Sequence, residues 1–205
     1  MALPLPEFKE SFSPAVEEAM SKLGGMDRHE VAARSGSRLE GESIVTEVMG
    51  REIVIDLDER RIFWSDGSYP PPDIKVLTLH YLLGVRGPPL PGWKSFREFE
   101  SGSLYYPVFH SRALARLVSR FGSDPISLKK AAARLGGVPV ERGDASFDFM
   151  FFPNMLVNVT VWAGDEEVPP SANILFDPSA GEYLGAEDLA HIAENIVDML
   201  FEACQ

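Results

Sequence analysis

Between Ser43 and Trp64 the apolar residues stop recurring at helical spacing and begin to alternate. Ile44, Thr46 and Val48 take one parity, and Val45, Glu47 and Met49 the other. After Gly50, the run Ile53-Val54-Ile55 reads as a second strand and Arg61-Ile62-Phe63-Trp64 as a third. Successive side chains of a strand point to opposite faces, so short β-rich runs separated by turn residues predict an antiparallel meander. The pattern returns in the last third of the chain. Phe147 to Phe152 and Met155 to Trp162 flank Pro153-Asn154, and Ile174-Leu175-Phe176 is a further short strand.

Helical signals separate and enclose these strands. Ser13 caps and Pro14 opens a first helix whose apolar face is Ala15, Val16, Ala19, Met20 and Leu23, stopped by Gly24-Gly25. Asp27 stands three residues before Glu30 at capping-box spacing. After Pro70-Pro71-Pro72, Asp73 is placed to cap a helix through Leu83 that is apolar nearly all round, which predicts burial. Pro107 to Phe121 reads as an amphipathic helix, Asp124-Pro125 starts another, and Ala186 to Ala203 makes the last. The expected fold is therefore α+β: an antiparallel or mixed sheet flanked by helices, with a C-terminal amphipathic helix. Its 205 residues, 45% of them apolar, suffice for one domain spanning 1–205, with residues 1–25 as an N-terminal helical extension.

Composition narrows the function classes. No apolar run approaches the roughly 20 residues of a membrane helix. The opening Met-Ala-Leu-Pro-Leu-Pro-Glu lacks the basic and long apolar regions of a secretory leader. Cys204 is the single cysteine, so no internal disulfide forms. A cytoplasmic protein is expected, and Asn158-Val159-Thr160 is then a chance sequon. A net charge of −12 disfavours nucleic acid and anionic lipid, because each phosphate contact needs a cation.

That charge is unevenly spread. Ser103 to Gly137 carries Arg112, Arg116, Arg120, Lys129, Lys130 and Arg134 against Asp124 alone, whereas Gly143 to the end holds twelve acids and no Lys or Arg. Either the two segments face each other across the fold or a dimer contact, or the basic segment forms a pocket for a small anionic ligand. Arg112, Arg116 and Arg120, spaced four apart on one helix face, are the candidate anion-binding residues.

Catalytic motifs are missing: no phosphate-binding glycine loop, no Gly-x-Ser-x-Gly, no His-Glu-x-x-His. Asp165-Glu166-Glu167 is a tight acidic turn that either lies exposed or holds a hard cation, with His191 as a further ligand of suitable type. His80 on the buried helix is either a hydrogen-bonded core histidine or an acid–base group. Trp93, with the neighbouring pair Arg97-Glu98 behind it, belongs to an aromatic loop that packs down, and Arg97 and Glu98 are either surface charges or a pocket wall. Pro88-Pro89-Leu90-Pro91 is a proline-rich ligand pattern common by chance.

Two stretches resemble a known family. Gly92-Trp93-Lys94-Ser95-Phe96-Arg97-Glu98, preceded by His80-Tyr81-Leu82-Leu83, is one; Trp162-Ala163-Gly164-Asp165-Glu166-Glu167-Val168-Pro169, running on to Ile174-Leu175-Phe176-Asp177, is the other. With Glu187-Asp188-Leu189 they resemble the domain-of-unknown-function 3786 family over roughly Met26 to the end. The resemblance implies a protein of anaerobic bacteria or archaea with no assigned activity. It adds weight to Arg97, Glu98, Asp165, Glu166, Glu167 and Asp177. Some members carry a cysteine-rich iron–sulfur segment; this chain does not, so that cofactor is not carried over and the cofactor stays unknown. The expected function is a ligand-, cofactor- or partner-binding accessory protein of anaerobic metabolism. A metal-dependent, hydrolase-like enzyme using the Asp165, Glu166 and Glu167 turn and a structural homo-oligomer, a homodimer in the simplest case, are the alternatives.

Overall fold

A computed structural model of the chain describes residues 13–205. The opening segment, in which no secretory leader is read, lies outside the described residues. Helix α1 (Pro14–Gly24) is capped by Ser13, whose hydroxyl accepts from Val16 N, and α2 (Arg28–Ser35) by Asp27, which accepts from His29 N and Glu30 N. The expected meander follows, with one strand more than its three: β1 (Arg38–Glu40), β2 (Ser43–Val48), β3 (Arg51–Asp56) and β4 (Arg61–Trp64), antiparallel in that order. Register sets Ile44 beside Ile55 and Ile62, and Thr46 beside Ile53 and Trp64, so one face carries the buried set. Met49 and Gly50, both at positive φ, make the two-residue turn whose twist matches a hairpin.

Helix α3 (Pro72–Gly84) is buried as its composition requires, with Leu79, Tyr81 and Leu82 at 0% exposure. Asp73 does not cap it. The cap position is Pro71, and Asp73 instead accepts a hydrogen bond from Asn195 at 2.7 Å. The far end of α3 is met by Arg34, whose guanidinium donates to the carbonyls of Leu82, Leu83 and Val85. A cation there offsets the negative end of the helix dipole.

A second antiparallel sheet, rather than an extension of the first, is built from β5 (Lys94–Ser95), β6 (Val138–Pro139), β7 (Ala145–Phe152), β8 (Met155–Trp162) and β9 (Ser171–Phe176), in the order β5-β9-β8-β7-β6. One face, including Phe149, Val157 and Phe176, packs under the helices; Phe176 meets Phe99 at 6.0 Å and Phe109 at 6.5 Å between ring centroids. On the other face Ser146, Asn158 and Thr160 bond to one another, which leaves Asn158 of the sequon 1% exposed. The two sheets are joined where Met49 N donates to Phe151 O at 2.9 Å.

The basic helix begins five residues earlier than its proline suggests. It comprises α4 (Gly102–Phe109), a π-turn (His110–Leu114) and α5 (Ala115–Phe121), with Pro107 inside it instead of at its start. Proline removes one backbone donor and crowds the preceding turn. The widened π-turn follows within one turn of it. Helix α6 (Pro125–Arg134) is capped by Asp124, and after a 3-10 turn (Pro178–Glu182) the chain closes with α7 (Ala186–Glu202). One continuous core runs from Val16 in α1 to Leu200 in α7.

Candidate functional site

The residues singled out from sequence lie in several places. Trp93 is half-buried ahead of β5. Arg97 and Glu98 turn to different partners: the Arg97 guanidinium stacks 3.6 Å from the centroid of Tyr106, and Glu98 accepts from the backbone N and the hydroxyl of Ser95, both at 2.7 Å. Those two bonds hold the Glu98 carboxyl below the usual range. Arg112 pairs with Glu194 at 3.4 Å, and Arg116 pairs with Asp198 while lying over the ring of Phe201. Arg120 lies over Phe121. The basic and acidic segments thus meet within the fold, the π-turn and α5 on one side and α7 on the other.

The acidic turn is occupied with itself. Asp165 accepts from Glu167 N at 2.8 Å and Val168 N at 2.7 Å, which closes the turn and lowers its pKa. Glu166 and Glu167 are exposed, and His191 pairs with Glu194 at 3.6 Å. Among the described residues no three His, Cys, Asp or Glu side chains are grouped so as to hold a metal ion. Asp177 differs: it is 1% exposed and accepts from Leu156 N at 3.1 Å, from Ser179 N at 3.0 Å and from the Ser179 hydroxyl. Burial nonetheless pushes its pKa up.

A cleft of about 440 Å³ opens between the start of α4 and the start of α7. Phe99, Glu100, Ser101 and Tyr105 line one side; Gly181 to Glu187, including Glu182 and Tyr183, line the other. Two close approaches fix the segments at this cleft, one at Gly181 in its wall and one at Gly102 beside it. A Cβ on Gly181 would lie 2.3 Å from the Phe99 ring, and one on Gly102 would lie 2.0 Å from the Phe96 carbonyl oxygen. Gly185 has nothing within 4 Å of its Cβ position and leaves α7 without a side-chain cap. Sequence reasoning does not reach Glu100, Gly181, Glu182 or Tyr183 as one group. Its trace is the pair Gly181 and Gly185 just ahead of the terminal helix.

On the flank of α7 that meets α3, His80 Nδ1 lies 3.0 and 3.1 Å from the two oxygens of Asp188. The carboxylate raises the imidazole pKa against the opposing effect of burial. The arrangement fixes the ring by Nδ1, as in acid–base dyads. No hydroxyl or thiol bonds to His80, so a nucleophile is not paired with it among the described residues.

The fold and these sites define an α+β protein of two antiparallel sheets under a helical layer, carrying a small acidic cleft. The chain belongs to the family described as Domain of unknown function (DUF3786), whose model matches residues 27–199. No curated protein and no solved structure matches it. Among the described residues no helix is long and apolar enough to cross a membrane.

Proposed function

We propose that this chain is a binding protein that takes a small organic cation, an ammonium or guanidinium compound, in the cleft between α4 and α7. The observation that carries this reading is the composition of the cleft wall. Tyr105 and Tyr183 line it together with Glu100, Glu182 and Glu187, and no Lys or Arg does. Aromatic faces and carboxylates together favour a desolvated cation. The N-termini of α4 and α7 oppose this, each by about half a positive charge at most, so together they offset about one of the three carboxylates. The cleft stays net negative.

This reading moves the ligand away from Arg112 and Arg116, whose charges are matched by Glu194 and Asp198. An accessory role in anaerobic metabolism is compatible with it, since binding without a paired nucleophile is what such a role needs. The test is thermal-shift and calorimetric titration with choline, tetramethylammonium, putrescine and arginine methyl ester, against acetate and phosphate. Saturable binding of a cation that Glu100→Gln with Glu187→Gln weakens tenfold or more, and that Gly185→Trp blocks, supports the reading. Binding of the anions alone, or of no probe, overturns it.

A further inference from the structure

The loop that joins β6 to β7, residues 140–144, borders a cavity of about 620 Å³ that shares no lining residue with the cleft. Lys129 of α6 lines it with Glu141, Arg142 and Asp144 of the loop and with Ser146 and Phe147 of β7. The two cations and two carboxylates cancel. The loop backbone is held in place. Val140 N donates to Ser146 O at 3.0 Å, Arg142 N to Val140 O at 2.9 Å and Asp144 N to Val161 O at 3.0 Å. Asp144 Oδ2 accepts from Ala163 N at 2.8 Å. Gly143 has a φ of 56°, and a Cβ there would lie 2.7 Å from Val161 O and 2.8 Å from Thr160 Cγ2, so the loop lies close against β8. Yet among the described residues the side chains of Lys129, Glu141 and Arg142 make no hydrogen bond and no ion pair. A fixed loop thus carries both signs of charge at the cavity and uses neither internally.

The β7 wall adds a direction. Ser146 is 3% exposed and belongs to the hydrogen-bonded ring with Asn158 and Thr160. Asp148 orders that ring. Its carboxylate accepts and does not donate, so the amide nitrogen of Asn158 faces it, at 2.6 Å. The second amide hydrogen goes to Ser146 Oγ at 3.0 Å. Asn158 Oδ1 then takes the single hydroxyl proton of Thr160, at 2.8 Å. Ser146 must therefore donate to Thr160, at 2.7 Å, and keeps only an acceptor lone pair. What Ser146 can offer a ligand is an acceptor, which suits an N–H group. We infer that the cavity binds a small zwitterion of the α-amino-acid type. Its ammonium group lies toward Ser146, Glu141 and Asp144, and its carboxylate toward Lys129 and Arg142. Asp148 acts through Asn158 and Thr160 as a positioning residue. The volume lies within the ordinary range for small-molecule sites. This inference is independent of the cleft and its ligand.

The test is a titration of the full chain, labelled with nitrogen-15 and followed by NMR. The amides of residues 141–146 read this site whatever the cleft binds. The probes are glycine, leucine and phenylalanine, each also as its amide and as its N-acetyl acid. Saturable shifts of those amides with at least one free amino acid are expected. Each blocked form should bind about tenfold more weakly or worse, the loss that one charge-assisted hydrogen bond implies. Glu141→Gln and Arg142→Gln should each weaken the free amino acid by a similar factor. No shift at these amides, equal binding of free and blocked forms, or both variants binding as the wild type does, overturns the proposal. Asp148→Asn releases the amide of Asn158 to turn over. The preference for the free amine over its N-acetyl form should then narrow, while that for the carboxylate over its amide stays. Both preferences unchanged, or both lost together, overturns the part given to Asp148.

Discussion

The Nδ1 atom of His80 lies 3.0 Å from one oxygen of Asp188 and 3.1 Å from the other, and this contact ties the middle of α3 to the first turn of α7. Two turns away on both helices, Asn195 donates to Asp73. A packed apolar helix pair is thus pinned by two polar contacts. Their directionality fixes how α7 lies along α3, which apolar packing alone leaves free.

That contact makes stability depend on pH. The folded chain binds the His80 proton more tightly than the unfolded chain, because Asp188 raises the pKa; Glu18 acts in the same sense and Lys22 against it. Its contribution is complete below the unfolded value of about 6.5 and is lost as pH rises through the raised folded value. Thermal unfolding from pH 6 to 9 should show Tm falling with pH. Asp188→Asn should flatten that slope and lower Tm at pH 6 by about 2–4 °C, the shift for about 1 kcal/mol in a chain of this size. A slope unchanged in Asp188→Asn places its origin elsewhere.

Asp177 follows the opposite chemistry, a carboxyl held inside the protein. Asp177→Ala strands the part-buried donor of Leu156 and the buried donor of Ser179. A buried group left without its partner costs about 1–3 kcal/mol, so a loss near the top of that range is expected by denaturant unfolding. Because burial raises its folded pKa, Asp177 contributes most below the unfolded value of about 3.9 and loses that contribution as pH rises. The stability of the wild-type chain relative to Asp177→Asn should therefore fall between pH 4 and 7. A relative stability that rises with pH would show that the carboxylate is the preferred buried form.

What was legible in the sequence is what depends on near neighbours. Ser13, Asp27 and Asp124 declare their caps because the bond closes within three residues. The long runs of β7 and β8 declare themselves by composition. Strands β5 and β6 have two residues each and no period to read. Asp73 resembles a cap until Asn195, 122 positions along the chain, claims its carboxylate. Gly102 opens a helix ahead of Pro107 because the Phe96 carbonyl leaves no room for a side chain there, which is a tertiary fact. The charge asymmetry was legible, and its two segments meet where the π-turn and α5 face α7. The cleft was not, because its carboxylates and tyrosines come from segments about 80 residues apart that carry no shared pattern.

The two ion pairs that reach α7, from Arg112 in the π-turn and Arg116 in α5, should contribute unequally. Arg112 is half-exposed and 3.4 Å from Glu194, the geometry of a weak surface pair. Arg116 is more enclosed, pairs with Asp198 and covers the ring of Phe201 at 5.1 Å. Arg112→Ala should cost less than about 0.5 kcal/mol and Arg116→Ala about 1 kcal/mol. Raising the salt concentration should shrink the Arg112 effect more than the Arg116 effect. Equal costs in urea unfolding at low and high salt would mean that neither packing nor enclosure distinguishes them.

Gly181 in the cleft wall and Gly102 beside the cleft give an instructive contrast. At Gly102 an added Cβ falls 2.0 Å from a backbone carbonyl oxygen and 3.0 Å from its carbon, so relief requires the 3-10 turn at 96–98 to move. At Gly181 the obstacle is the side chain of Phe99, 2.3 Å away, on a ring that is itself buried and in edge contact with Phe176. Rings rotate more cheaply than backbones shift, yet a packed ring has little room. Overpacking costs about 1–3 kcal/mol and more where the backbone must yield. Gly181→Ala should therefore lie within that range and Gly102→Ala above it. Gly185→Ala, with open space around its Cβ and an extended backbone, should leave stability within about 0.5 kcal/mol of the wild type. Unfolding in urea ranks the three. An order in which Gly185→Ala is the most damaging would mean that the open mouth of the cleft is filled in solution, and both the cleft and the reading built on it would have to be given up.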